Sequence, residues 1–166
     1  MRVDVVESLS TNDAAQTMLT DPAVDRALKS FFAALSSDDS LFVADSSAAT
    51  IEADTQHGIQ TCRATLAVKF RDDKQASSRS LHFSLIQRLA ELLKTAGSAD
   101  SLMATLCLTT DNSESKDQFA VQIRLQARGG SPDQAGLRWG LGLAHVQQAL
   151  LFLSRYLRQQ IAQSGD

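Results

Sequence analysis

The sequence predicts a single α+β domain, ordered helix, three strands, helix, two strands, helix, with a mainly antiparallel sheet and its helices on one face. Three observations predict it. Segments with apolar residues at spacings of three and four alternate with segments in which every second residue is apolar. Consecutive strand-like runs are joined by short polar linkers, which favour hairpins. A chain of 166 residues, 43% of them apolar, can bury one proper core without disulfides or metal.

Residues 1–20 read as an arm that is either flexible or forms a short extra turn of helix over NDAAQTML, and residues 21–163 as the folded domain. The first helix starts at Asp21, a good N-cap, with Pro22 at the first helical position, where its missing N–H costs nothing. Val24, Leu28, Phe31 and Leu35 then stack on one face. Two short runs, 41–44 and 49–53, flank the turn-forming Asp45, Ser46 and Ser47 and read as a tight hairpin. After Gln56, His57 and Gly58 comes the cleanest strand, TCRATLAVKFR. Its Cys62, Ala64, Leu66, Val68 and Phe70 share one face, and Thr61, Arg63, Thr65 and Lys69 the other.

DDKQASSRS breaks that strand, and LHFSLIQRLAELLKTAG follows as a helix with Leu85, Ile86, Leu89, Leu92 and Leu93 in a broad stripe. SLMATLCLTT and QFAVQIRLQAR alternate cleanly and are joined by DNSESKD, so they form a second hairpin. GGSPDQAG reads as the loop before the last helix, which begins near Trp139.

Composition narrows the function. The net charge of −3 and pI near 5.5 hide an acidic front: residues 1–60 carry 10 acidic and 3 basic side chains, residues 61–166 carry 9 and 13. With no block of Lys or Arg, nucleic acid is not an expected partner. No apolar run approaches the ~18 residues needed to span a bilayer, and MRVDVVESLS lacks the pattern of a secretory signal, so the expectation is a cytosolic protein without a membrane partner. Cys62 and Cys107 lie outside any CxxC and read as reduced packing residues.

No catalytic constellation stands out. His57, His82 and His145 are the three histidines, and no pair has the i,i+4 spacing of a helical zinc site. RWGLGLAH evokes a dinucleotide fingerprint but lacks its third glycine and the preceding strand, so close packing or a loosened first helical turn explains its glycines better. Asp72 and Asp73, beside Arg71 and Lys74, read as solvated charges at a strand end. The sequence thus names no catalytic, metal or cofactor residue, and a non-enzymatic role without cofactor is expected; a small-molecule site would need a polar pocket holding His145 or Arg63.

The last helix carries more leucine than one buried face needs. Leu143, Val146, Leu150, Leu153, Leu157 and Ile161 form its stripe, widened by Trp139, Ala149 and Tyr156, with Leu141 and Phe152 at the margin. Leu151 falls among Gln147, Gln148, Ser154, Arg155 and Arg158. Either it is an ordinary exposed leucine, or with Phe152 and Leu141 it extends a surface for a second polypeptide. The broad stripe of the middle helix poses the same choice between core and self-association.

The order of elements resembles that of the class I type III secretion chaperones of bacteria. LFVADSSAATIEAD (41–54) resembles the family's first hairpin, LMATLCLTTD (102–111) its ATLALD-type strand, FAVQIRL (119–125) the strand after it, and HVQQALLFLSRYLRQQI (145–161) its closing helix. The resemblance implies a cytosolic homodimer that binds an extended segment of a partner polypeptide, a secretion substrate, and presents it for export. It implies partner contact at Phe31, Phe32, Leu35, Leu41, Val43, Ile51, Leu66 and Val68, to which the last helix adds Leu151. It implies a dimer interface at Leu85, Leu89, Leu92 and Leu106. The alternative is a structural or regulatory component that assembles with other proteins through the last helix.

Overall fold

The computed structural model describes residues 1–7, 22–45, 52–56, 58–95, 101–111 and 118–163. The elements are β1 (Arg2–Val5), α1 (Pro22–Ser36), β2 (Phe42–Asp45), β3 (Glu52–Gln56), β4 (Ile59–Phe70), α2 (Asp73–Ala76), α3 (Arg79–Thr95), β5 (Leu102–Asp111), β6 (Gln118–Gly129) and α4 (Pro132–Gln163). The α+β class predicted from the sequence is the one observed: a six-stranded, mostly antiparallel sheet ordered β1-β5-β6-β4-β2, with β3 also on β4. The strands with the longest clean alternation, β4 and β6, take the centre, where both edges find partners. Their core-facing residues Leu66, Val68, Val121, Ile123 and Leu125 are fully buried beneath α3 and α4.

Three boundaries differ from the sequence reading. Residues 2–5, expected in an arm, form β1, which pairs in parallel with β5 from Arg2↔Met103 to Val5↔Leu106. The first hairpin is not a hairpin. β2 and β3 do not pair with each other; both lie antiparallel on the same edge of β4, β2 against 67–70 and β3 against 59–63. The twelve-residue β4 has room for both, and each short strand gains a ladder against a strand already held on its other side. The tight hairpin is instead β3–β4, closed at Gln56↔Ile59 around Gly58, whose φ of 76° is one that glycine adopts freely.

The third difference is the start of α4, two turns before Trp139. Ser131 is its N-cap: the hydroxyl accepts the Gln134 N–H at 3.2 Å, and Pro132 takes the first helical position. Two glycines, one just before this cap and one further along the helix, serve close packing. A Cβ on Gly129 would lie 2.6 Å from the Ala135 nitrogen, and one on Gly142 would lie 2.7 Å from Leu102 Cδ1. The helix therefore lies tightly on the sheet, and the buried Trp139 donates its Nε1–H to the Leu125 carbonyl at 3.1 Å. Of the RWGLGLAH glycines, Gly142 is a packing residue, whereas a Cβ on Gly140 would make only an ordinary contact with Ala27 at 3.6 Å.

The charges after β4 hold structure together. Arg71 reaches back to the Leu35 and Ser37 carbonyls at 3.1 and 3.0 Å, satisfying the open end of α1. Asp72 N-caps α2 by accepting the Gln75 N–H at 3.1 Å.

Candidate polypeptide-binding groove

The partner-binding residues expected from sequence do not gather into one exposed patch. Phe31, Leu35, Leu66 and Val68 are fully buried in the chain's own core, so as folded they offer no contact surface. Phe32, Leu41 and Val43 are half-buried; Phe32 packs edge-on against Phe31 at 5.7 Å, and the Leu41 N–H is held by Ser154. Ile51 lies outside the described residues. Leu151 is half-buried and packs against the core, not out in solvent.

The expected dimer residues are corrected likewise. Leu85, Leu89 and Leu106 are buried, and Leu92 is half-buried against the core. The stripe of α3 looked too broad for one small sheet, but β1, β5, β6 and α4 together cover it. The cover supplied by β1 was the missing part.

A different surface stands open at the corner where β1 ends. The Val6 N–H donates to the Leu106 carbonyl at 2.9 Å, and no described strand pairs with β5 beyond that point on the outer side. Because alternate residues of a strand turn their N–H and C=O to the same edge, those of Leu108 and Thr110 follow Leu106 outward. Above this edge the first half of α3 overhangs the sheet. The result is a groove of about 880 Å³, walled by Phe83 and Ile86, floored by Leu108 and Phe119, and rimmed by Val5 and Val6. Glu7 and Arg79 stand at its mouth. Val5 is 54% and Phe83 45% exposed, which is unusual for residues of their size next to a core. The Arg79 guanidinium stacks over the Phe83 ring at 5.3 Å and holds it against the wall.

Phe119 connects the groove to a buried histidine. His82 lies between Phe70 and Phe119, with ring centroids 5.0 and 6.0 Å away. Its Nδ1 is 2.8 Å from the Ser78 carbonyl, which fixes that nitrogen as a donor, and the buried Nε2 makes no well-formed hydrogen bond, although the Phe119 backbone lies near enough to favour the ring's protonated form. Burial lowers its pKa below 6.5.

Sequence reasoning missed the groove because its parts lie far apart. Phe83 was legible as a large apolar residue off the α3 stripe, but Val5 sat in the supposed arm, and nothing local joins either to Leu108. Arg63 and His145 do not meet: Arg63 is on the sheet face away from the helices, bonded to Gln126 at 3.2 Å, and His145 is on α4. Neither lines the groove.

Among the described residues no group of three or more His, Cys, Asp or Glu could hold a metal ion, and no helix is long and apolar enough to cross a membrane. Comparison with protein-family models, curated proteins and solved structures finds no match to the chain.

Proposed function

We propose that the protein is a non-enzymatic chaperone or adaptor that binds an extended segment of a partner polypeptide at the outer edge of β5, beyond the end of β1. The observation that carries this reading is the coincidence of a strand edge, Leu108 to Thr110, with which no described strand pairs, and the apolar groove beneath Phe83. An extended chain needs both: main-chain partners along its length and apolar recesses for alternate side chains. A segment laid beside β5, in line with β1, would meet the Leu108 and Thr110 backbone on one side. It would set every second side chain between Phe83, Ile86 and Phe119. The resemblance of the element order to the type III secretion chaperones supports a secretion substrate as the partner and the cytoplasm as the place of encounter.

The test begins with the tagged protein purified from its host and mass spectrometry of what stays bound after a stringent wash. One larger protein is expected, held through its N-terminal segment. A synthetic peptide of that segment should bind the purified chain, and Phe83→Asp or Val5→Asp, both at exposed positions, should weaken it tenfold or more, about 1.4 kcal/mol, with circular dichroism unchanged. Recovery without any polypeptide, or a peptide indifferent to both substitutions, defeats the reading and moves the search to small ligands.

A further inference from the structure

The outer face of α4 is apolar where a lone helix on a sheet would be polar. Leu137, Leu141, Ala144, Gln148, Phe152 and Arg155 recur at spacings of four, three, four, four and three, and all six are exposed. Leu137 is 60%, Leu141 57% and Phe152 57% exposed. Single exposed leucines need no explanation, but three large apolar side chains aligned on one stripe of about 27 Å form a patch. Two of them, Leu141 and Phe152, stood at the margin of the stripe read from sequence; Leu137 lay between the supposed loop and the expected helix start at Trp139.

We infer that this stripe joins two copies of the chain, with the α4 helices packed antiparallel about a two-fold axis beside Ala144. The stripe is complementary to its own reverse. Turning it end for end sets Leu137 opposite Phe152 of the second copy, Leu141 opposite Gln148, and the small Ala144 at the crossing, where a short side chain lets two helices approach to about 8–10 Å. The charges agree. Asp133, exposed in the first turn of α4, comes to lie near Arg155 of the second copy, and the two-fold repeats that pair at the other end. Antiparallel helices also oppose their macrodipoles. A parallel pair would instead set Asp133 against Asp133 and Arg155 against Arg155. The stripe shares no residue with the groove, so self-association through α4 stands or falls independently of polypeptide binding.

Sedimentation equilibrium of the full chain tests the inference. The expected result is a dimer whose dissociation constant rises tenfold or more in Leu141→Glu and in Leu137→Glu, with circular dichroism confirming that these exposed substitutions leave the fold intact. Asp133→Arg and Arg155→Asp should each weaken the dimer, and the double reversal should restore it, because the two pairs re-form with their signs exchanged. A chain that stays monomeric at about 100 μM, a level at which even a weak specific dimer assembles, overturns the inference. So does a dimer that ignores Leu141→Glu, or a double reversal no tighter than the single ones.

Discussion

The Ser154 hydroxyl accepts a hydrogen bond from the Leu41 backbone N–H at 2.8 Å and donates one to the Asp39 carbonyl at 3.2 Å. Through it α4 holds the turn between α1 and β2, and the side chain is fully buried there. Ser154→Ala leaves both backbone groups without this partner. It is expected to cost about 1–3 kcal/mol in urea unfolding. An unchanged midpoint would mean that water replaces the hydroxyl and that the contact does not hold the turn.

Gly129 ends β6 where the chain doubles back into α4. The atom that a Cβ would strike belongs to the backbone of Ala135, at 2.6 Å, so no rotamer change can relieve the clash. Gly129→Ala is expected to destabilise by about 1–3 kcal/mol. Gly142→Ala makes an instructive contrast: its neighbour is the tip of Leu102, and the helix gains about 1 kcal/mol of propensity, so its cost should be the smaller. Thermal unfolding of the two variants side by side checks the order.

Stability should fall with pH in a way traceable to His82. Its desolvated ring is held neutral in the fold, with a pKa below 6.5, while the unfolded chain takes up the proton near 6.5. The unfolded state therefore binds more protons as pH drops through that value, and the stability present above it is lost toward the lower folded pKa. His82→Phe, packed between Phe70 and Phe119, removes this titration. The variant is expected to gain on the native chain between about pH 7.5 and about pH 5.5. Parallel stability curves would show that His82 binds protons alike in both states.

Val3 is buried on the helix side of β1, opposite Ala104. Val3→Asp places a carboxylate there without a partner and is expected to cost about 2–4 kcal/mol. A neutral result in guanidinium unfolding would return residues 2–5 to the status of an arm and would reopen the whole outer edge of β5.

What the sequence determined by itself is the local periodicity. Alternation in 61–70, 102–108 and 119–127 and the three-and-four spacing of Leu85, Ile86, Leu89 and Leu93 specify strands and helices wherever they occur, because side-chain direction follows backbone period. The α+β class follows from their order. The start of α4 was also written locally, as Ser131 before Pro132, but the surrounding glycines disguised it as a loop. The reason for Gly129, close approach to the Ala135 backbone, exists only in three dimensions.

Tertiary structure decided the rest. A four-residue strand has no stability of its own, so the ladder available to Arg2–Val5 made it β1, and the room along β4 separated β2 from β3. The same long-range pairing consumed Leu85, Leu89 and Leu106 as core and left Phe83 and Val5 beside an open edge. Periodicity says which face of an element is apolar; which faces remain uncovered depends on partners distant in the chain, and on this protein those uncovered faces are the groove and the outer stripe of α4.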